Sequence, residues 1–552
     1  MKVLSIILGV ALFLNGGFFD HSVAFIGLFI VSCLLIMLFK GSPFYTRDKR
    51  IVFLIPMGIL CIAILVSFWA VDYMDNLLGV LRWGVVCLWL WLLRCRKQQE
   101  IINVVRQLPL AGCITVLLSF VCMPFAFLKP YFWENSRMSG FFQYANTNAL
   151  FLALGIMILI YDWEKEKGKK YDISKLFLLF IGLLFTGSRS VLLFFLLWGC
   201  YYGIRRKAFR KPFLIVLGSF GGVAGIFVAV TGNTANIGRI FTIFTSNSTF
   251  WGRLLYYRDG LSELCKNLLG LGRLGYYYSQ GTFQSGVYHI KFIHNDFLQL
   301  ALDYGILALV LLLIFLGWQL LKGKQSRADK EILLFICMTS LVDFHLQYLF
   351  IIMIACLFLD YGEGVKEKKS QLRENYVIFP VLIVVFGYIG IATGCGKNGK
   401  WDIALSMLPN YTFAQEKMIL TEMGSPESFE MATGLLEKNP YNITASIARG
   451  SFFASRLAVG ECIEEFDRVL ELDPYNVEYY KQYEVLLRNM LLQLQEYADG
   501  IGISGDDSEN LNADMMQLKN RADSLEAELE SQKERTSSLA YRIKDKPLFT
   551  YR

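Results

Sequence analysis

Residues 291–320 read KFIHNDFLQLALDYGILALVLLLIFLGWQL, a polar start followed by an almost uninterrupted apolar run. The apolar part, residues 298–320, is long enough to cross a bilayer as a helix, which takes roughly 20 residues. The polar part carries His294, Asn295 and Asp296 at its edge. The stretch therefore predicts a membrane-spanning helix with titratable and amide side chains where it leaves the bilayer.

The composition of the whole chain agrees with a protein that crosses the membrane many times. Hydrophobic side chains make up 55% of the 552 residues and the mean hydropathy is +0.43, which is more apolar than a soluble core requires. The formal net charge of +7 is modest, and nucleic acid is not indicated as a partner. The twelve cysteines form no CxxC pair, so neither a zinc site nor a disulfide framework is expected.

Counting apolar runs gives thirteen candidate spans, several of them short. The expected fold class is therefore all-α, a polytopic transmembrane helical bundle of about 12 to 13 spans. The first run has no small-residue cleavage pattern after it, and we interpret it as a span rather than a signal peptide. The thirteen runs are 3–18, 22–39, 51–70, 77–93, 107–128, 144–160, 173–187, 189–204, 213–230, 298–320, 331–343, 347–360 and 376–394.

The links between these runs alternate in their content of lysine and arginine. By the positive-inside rule the basic links are cytoplasmic. This places the N-terminus in the cytoplasm, the long loop 231–297 outside, and everything after about residue 395 outside as well. The basic clusters occupy every second link, at 40–50, 94–97, 165–175, 205–211, 322–330 and 366–373.

Ionisable side chains inside the apolar runs lie near the predicted outer ends of those runs. They are Arg82, Arg189, Asp303 and Asp343, and the middle of the bilayer is almost free of charge. An ionisable group in hydrocarbon is costly and usually functional. A carrier of polar solutes, such as a flippase for lipid-linked sugars, would place polar groups halfway across the membrane. The pattern therefore favours surface chemistry over transport.

Three predicted outer segments could meet at one site. The first is residues 137–148, the second is the tight turn 186–190, and the third is the long loop 231–297. Arginine can bind a diphosphate through two parallel hydrogen bonds, and a lipid diphosphate would present its head group at this depth. The candidate side chains in these segments are Arg137, Asn146, Arg189, Arg239, Arg253, Arg258, Arg273, His294 and Asn295.

Each candidate also has a plain structural interpretation. Arg189 could reach lipid phosphates on its own, and His294 could cap the helix that follows, although Asn295 is a better cap. The loop arginines, taken singly, could be solvated, because exposure is the usual state of a charged side chain. Arg137 and Asn146 could be ordinary residues at the start of a span. Convergence on one membrane face is what favours a common site.

Short motifs in these outer segments follow one another in a distinctive order. A Ser188-Arg189-Ser190 turn is followed by a long loop with arginines and then by His294-Asn-Asp-Phe-Leu-Gln-Leu-Ala-Leu-Asp-Tyr-Gly305, which runs into the next span. In order and topology these motifs resemble the O-antigen ligase and polymerase family. The segment that leads to Asn146 also looks like part of that pattern. The resemblance covers roughly residues 50–360 and ends beyond Tyr361.

The resemblance implies a membrane glycosyltransferase in the bacterial plasma (inner) membrane that takes part in assembling a cell-surface polysaccharide. Such an enzyme takes a glycan from a polyprenyl diphosphate at the outer face and passes it to an acceptor hydroxyl, without metal, nucleotide or other cofactor. The partners it implies are a lipid-linked oligosaccharide or polysaccharide donor, a glycan or cell-wall acceptor, and the surrounding membrane lipids.

The resemblance also assigns roles to individual residues. The Ser-Arg turn of the family falls on Arg189 and its loop histidine falls on His294. For its loop arginine we choose Arg258, with Arg253 and Arg273 as the next candidates. The arginines would stabilise the leaving diphosphate, and the imidazole would act as general base toward the acceptor hydroxyl. The residues expected to bind substrate are Arg137, Asn146, Arg253, Arg273 and Asn295.

After residue 395 the chain becomes polar and carries a repeat. Asn439-Pro-Tyr-Asn442 and Asp473-Pro-Tyr-Asn476 recur 34 positions apart, each after an amphipathic segment. That period is typical of tetratricopeptide repeats, whose concave surfaces bind proteins. We therefore predict three domains. They are a transmembrane ligase-like domain at 1–395, extracytoplasmic tetratricopeptide-like repeats for a protein partner at 396–490, and a linker with a C-terminal helix, either coiled coil or solvated, at 491–552.

Two other functions fit the same sequence. A surface polysaccharide polymerase would use the same chemistry and differ only in its acceptor. A non-catalytic membrane anchor would present the repeats as a scaffold for cell-surface assembly. Deleting residues 400–552 separates the catalytic and scaffold functions, because in the enzyme the deletion would weaken partner choice and leave the transfer chemistry, whereas a scaffold would lose all function.

Overall fold

The computed structural model describes residues 2–40, 44–46, 51–166, 171–206, 248–362, 366–368, 375–501 and 506–543, and within these ranges the protein is almost entirely α-helical. The predicted span 213–230, the loop residues 231–247 and Arg239 lie outside the described residues. The all-α fold class is thus confirmed for the part of the chain that the structure describes.

Helices α1 to α10 precede the long loop. They are α1 (Lys2–Phe13), α2 (Asp20–Phe39), α3 (Ile51–Val66), α4 (Tyr73–Arg94), α5 (Gln98–Val105), α6 (Leu108–Cys122), α7 (Lys129–Phe132), α8 (Ala145–Glu166), α9 (Tyr171–Thr186) and α10 (Arg189–Arg205). Six helices follow within the loop and the second half of the bundle: α11 (Ser248–Lys266), α12 (Gly275–Phe283), α13 (Asp296–Lys322), α14 (Arg327–Ser340), α15 (Leu349–Leu357) and α16 (Asn375–Lys397).

The count of about 12 to 13 spans remains a prediction, because the run 213–230 lies outside the described residues. Six helices among the described residues are long and apolar enough to cross a membrane, at 20–39, 73–94, 98–122, 145–164, 296–322 and 377–397. The other described runs form shorter helices because turns interrupt them. The first run, for example, ends at Phe13, since Asn15, Gly16 and Gly17 all take positive φ angles that break the helix.

Helix α8 is the centre of the bundle and is buried over most of its length. It packs against α6 and α9, and glycines allow the three helices to approach closely. A Cβ atom built on Gly112 of α6 would lie 2.7 Å from Leu179 Cδ2 of α9. Small residues at such contacts are how membrane helices associate, since lipid offers no hydrophobic driving force between them.

One end of the bundle gathers polar side chains and backbone ends. The N-termini of α8, α10 and α13 meet the C-termini of α9 and α14 there, and the loop helix α11 lies beside them. A short hairpin of β2 (Trp133–Glu134) and β3 (Arg137–Met138) belongs to the same end. The antiparallel pair of β1 (Phe44–Thr46) and β4 (Lys366–Lys368) joins two of the basic links.

The C-terminal extension is a chain of packed helices. They are α17 (Trp401–Met407), α18 (Thr412–Thr421), α19 (Pro426–Leu436), α20 (Ile443–Ser455), α21 (Val459–Leu472), α22 (Val477–Ile501) and α23 (Asp506–Arg535). Asn442, the last residue of the first repeat motif, caps α20 through a bond from Ala445 N–H of 3.0 Å. The assignment of these helices to tetratricopeptide repeats remains a prediction.

The last helix differs from the solvated helix that the sequence allowed. Leu518, Leu525 and Leu529 of α23 are buried against α22, where Tyr483 and Leu487 belong to the same apolar cluster. Burial of this apolar stripe stabilises the packing of α22 against α23. Helix α23 begins at Asp506, inside the segment predicted as a linker, and residues 502–505 lie outside the described residues.

Candidate functional site

Asp343 is the centre of the polar end of the bundle. It lies in the turn between α14 and α15, and its side chain is fully buried. Oδ1 accepts hydrogen bonds from the Tyr144 hydroxyl at 2.8 Å and from the backbone N–H of Phe344 at 3.0 Å. Oδ2 accepts from Asn146 Nδ2 at 2.6 Å and from an Arg253 Nη at 3.3 Å. A buried carboxylate needs this many donors, because an unpaired charge would be very costly there.

His294 contacts this carboxylate through its imidazole ring. Its Nδ1 lies 3.2 Å from Asp343 Oδ1. An ionised carboxylate only accepts hydrogen bonds, so the hydrogen must be on Nδ1 and the neutral ring keeps a lone pair on Nε2. Within the described part of the chain Nε2 has no hydrogen-bond partner, and the side chain is 22% exposed. The ring is therefore oriented and remains accessible.

The backbone of His294 is held in an unusual conformation. Its φ angle is +55°, in the left-handed region that residues with a side chain rarely adopt. The Tyr257 hydroxyl donates to the His294 carbonyl at 2.6 Å, and the Phe344 ring contacts the imidazole edge-on at a centroid distance of 5.0 Å. Strain of this kind persists where the surroundings fix it and often marks a functional site.

The charge of Asp343 is stabilised by its neighbours. Burial raises the pKa of the Asp343 carboxyl, but the hydrogen bond from His294 and the positive charge of Arg253 lower it by more, so the pKa lies well below its ordinary value. His345 follows two residues later and is fully buried, with its Nδ1 3.1 Å from Thr147 Oγ1. Burial lowers the pKa of His345 to about 4, so this ring is neutral at pH 7.

Arg137 connects Asp343 to the turn that carries Arg189. One Nη of Arg137 donates to Asn146 Oδ1 at 2.6 Å, and its Nε donates to the Thr186 carbonyl at 2.7 Å. Arg189 begins α10 three residues after Thr186 and is half-buried. The structure thus brings Arg137, Asn146, Arg253 and His294 together, with Arg189 on the adjoining turn.

The other sequence-predicted site residues lie elsewhere. Asn295 caps α13, since its Oδ1 accepts from the N–H groups of Phe297 and Leu298 at 3.1 and 3.0 Å. Arg258 lies on α11 with Arg253, but its guanidinium donates to the Ser537 hydroxyl in the C-terminal extension. It is not among the partners of Asp343 in the described structure.

Arg273 belongs to a second buried group of charges. Its guanidinium forms an ion pair with Asp20 at 2.8 Å and donates to the Asp75 carbonyl at 3.4 Å. Arg82 lies in the same region and donates to the carbonyls of Phe18 and Gln347. Gln347 ends the turn that begins after α14 and carries Asp343. Through the bond from Arg82 to Gln347, this second group of charges fixes that turn and does not face the His294 ring.

A largely apolar cavity of about 140 Å³ lies among the helices of the bundle, and Arg82 and Asp296 are among its lining residues. Its walls come from α3, α4, α13, α14 and α15, and Arg273, Asp303 and Gln347 lie at its polar end. Leu346 and Gln347, from the segment between α14 and α15, line the cavity, whereas Asp343 and His294 are not among its described lining residues. Among the described residues no three His, Cys, Asp or Glu side chains are grouped as metal ligands would be.

Comparison with known families supports a function for this end of the molecule. Residues 175–313, about a quarter of the chain, match the family model described as O-antigen ligase. This segment is similar to the O-antigen ligase family. Arg189, Arg253 and His294 fall within the matched O-antigen ligase segment, whereas Asp343 follows it. No curated protein and no solved structure matches the chain.

The O-antigen ligase match and the apolar helices together indicate a membrane protein of the glycan-transferring type.

Sequence reasoning missed Asp343 as part of the site, although its position near the end of an apolar run was a signal, because buried charge there is costly. It also missed Tyr144 and Tyr257, which position Asp343 and His294 and which no pattern in the sequence distinguishes from other aromatic residues.

Proposed function

We propose that the protein transfers a glycan from a polyprenyl diphosphate to an acceptor hydroxyl at the outer face of the bacterial plasma membrane. The observation that carries this proposal is the buried carboxylate of Asp343, which contacts both the His294 imidazole and the Arg253 guanidinium. A base and a fixed cation beside each other are what glycosyl transfer from a diphosphate requires.

His294 acts as the general base in this mechanism. The acceptor oxygen forms a bond to the anomeric carbon while the bond from that carbon to the phosphate oxygen breaks. The acceptor proton goes to Nε2 of His294, and the polyprenyl diphosphate leaves. Asp343 holds the ring in the required tautomer and stabilises the imidazolium that forms, as a carboxylate does in other histidine-dependent enzymes.

Arg253 takes the place of Arg258 as the loop arginine that faces the leaving diphosphate. Its Nε is buried and has no hydrogen-bond partner within the described residues, so the guanidinium has donor capacity left for a phosphate oxygen. Arg189 supplies the second cation from the adjoining turn. Arg137 and Asn146 are positioning residues, because they connect that turn to the carboxylate.

The experiment is a transfer assay with purified protein and a polyprenyl-diphosphate-linked glycan. His294→Ala and Arg253→Ala should each lower the transfer rate by about 100-fold, and Arg189→Ala should lower it too. His289→Ala and Lys266→Ala are matched controls, because both side chains are exposed on the same loop. Full activity of both His294→Ala and Arg253→Ala would remove the proposed mechanism.

A polymerase would use the same residues on a different acceptor, so the two functions are separated by the intermediate that accumulates when the protein is absent. Full-length lipid-linked chains would indicate a ligase, and single lipid-linked repeat units would indicate a polymerase. The scaffold alternative predicts that point variants of Asp343 or His294 leave polysaccharide assembly intact.

A further inference from the structure

The last described residues of the chain, Ser537–Ile543, fold back onto the long loop. We call this segment the C-terminal latch. The backbone N–H of Ser537 donates to the Ser285 carbonyl at 2.8 Å, and its hydroxyl accepts from the Arg258 guanidinium. The latch is therefore joined both to the loop at Ser285 and to helix α11.

An apolar cluster secures the latch. Ala540 and Ile543 are buried against Leu255 of α11 and Tyr288 of the loop. Ala540 fits because Gly286 has no side chain, and a Cβ atom built on Gly286 would lie 2.5 Å from the Cβ of Ala540. The small residues on both sides define a close contact that a larger side chain would prevent.

A cation–π contact adds to the same interface. The guanidinium of Arg542 lies over the ring of Trp251 on α11, 4.5 Å from its centroid. The latch therefore contacts α11 at Trp251, Leu255 and Arg258, which span two turns of the helix.

Helix α11 also carries two residues that reach the site around Asp343. Arg253, between Trp251 and Leu255, binds the carboxylate, and Tyr257 binds the carbonyl of His294. Asp259, on the next turn, accepts bonds from Ser285 N–H at 2.8 Å and from the Tyr288 hydroxyl at 3.1 Å. Helix α11 is therefore bound on one side by the latch and the loop, and on another side by Asp343 and the backbone of His294.

We propose that the C-terminal latch is a positioning element for glycan transfer. It fixes the rotation and depth of α11, so that Arg253 and Tyr257 reach Asp343 and His294. The latch lies outside residues 175–313, the segment that matches the family model, and contacts α11 within that segment. The catalytic part of this inference depends on the proposed function, whereas the effect of the latch on α11 does not.

The test uses the full-length protein with a charge placed in the latch. Ala540→Asp would bury a carboxylate against Leu255 and should release the latch. Tyr541→Ala is the matched control, since the neighbouring Tyr541 side chain is 53% exposed. Hydrogen exchange is measured over residues 248–266, and kcat and KM are measured in the transfer assay. Ala540→Ser, a small substitution, should behave like the wild type.

The expected result has two parts. Ala540→Asp should speed exchange in residues 248–266 and lower kcat by about tenfold, with the KM for the acceptor within about twofold of the wild type. Exchange in α11 that is unchanged would overturn the inference whatever the activity. Faster exchange with an unchanged kcat would overturn it as well, because the latch would then stabilise α11 without any influence on the rate of transfer. Absence of transfer by the wild type would contradict the proposed function alone, and the exchange data would still decide whether the latch fixes α11.

Discussion

Asp343 and His294 form the central pair of the site, with the imidazole Nδ1 3.2 Å from the carboxylate Oδ1. The acid was recognisable as a charge near the end of an apolar run, but nothing in the sequence pairs it with His294, 49 positions away. Contacts at such separations are set by how α13 and α14 pack, which local patterns do not encode. His294, Arg137 and Asn146, which the sequence predicts as site residues, lie together in the structure, where Asp343 is the shared partner of His294 and Asn146.

Asn295 allows a test at the scale of one residue. If it is a helix cap, as its bonds to Phe297 and Leu298 indicate, Asn295→Ala should destabilise the protein by about 1 kcal/mol, and Asn295→Asp should not. Thermal unfolding measures the stability, and the transfer assay measures the consequence for the neighbouring His294.

The aspartate variant separates the two roles of Asn295. A cap needs only the side-chain oxygen that aspartate retains, so its transfer rate should remain near that of the wild type. A substrate ligand would need the amide N–H groups, so a large loss of transfer in Asn295→Asp at unchanged stability would contradict the cap assignment.

At the scale of elements, α11 explains why the choice between two loop arginines could not be made from the sequence. Arg253 and Arg258 are five residues apart, which places them about 140° apart around a helix. One therefore faces Asp343 and the other faces the C-terminal latch. The five-residue spacing of the two arginines could be taken from the sequence. Which of them faces Asp343 depends on how α11 is rotated, and α11 contacts Ser537, 279 residues beyond Arg258.

The interface between the extension and the loop should depend on pH. Burial raises the pKa of Asp473 to about 6, although hydrogen bonds from Asn476 and Gln284 oppose the shift. The folded protein therefore holds a proton that the unfolded chain releases near pH 4. The contribution of Asp473 to the free energy of unfolding is therefore largest at acid pH, and it is lost as the pH rises from about 4 to about 6. Burial raises the pKa of Glu416 to about 6 in the same way.

Neutral substitutions test this dependence. Asp473→Asn and Glu416→Gln should raise the unfolding temperature at pH 7.5 by several degrees and change it little at pH 4, because the variants lack the charge that burial disfavours. Scans of the unfolding temperature against pH provide the measurement, with the exposed Glu437→Gln as the control. Equal shifts at both pH values would show that burial of these carboxyls does not control the interface.

At the scale of the whole molecule, the sequence predicted an all-α membrane protein with a polar site at one end and a helical extension. It predicted about 12 to 13 spans, and six helices among the described residues are long and apolar enough to cross a membrane. Apolar runs do not reveal the turns that shorten α1, α14 and α15. It also treated the extension as separate from the site. In the structure Thr412 and Asn439 both donate to the buried Asp72 at the start of α4, and the latch holds α11.

Deleting residues 400–552 is therefore expected to do more than weaken partner choice. The deletion removes the contacts at Asp72 and the latch on α11, so the transfer rate should fall by about tenfold or more even with a simple acceptor. The assay compares the truncated and full-length proteins in membranes at matched amounts. Transfer that is unchanged by the deletion would show that the ligase-like domain is complete without its extension.

The central claim is that His294 and Asp343 act as one unit in glycan transfer, and a double-mutant cycle tests it most directly. His294→Ala, Asp343→Ala and the double variant are purified, checked for folding by thermal unfolding, and assayed for single-turnover transfer from a polyprenyl-diphosphate-linked glycan. When two residues act as one unit, removing the second causes little further loss of rate once the first is gone. The double variant should therefore be no more than about threefold slower than His294→Ala. Losses that multiply, or a His294→Ala variant as fast as the wild type, would contradict the account.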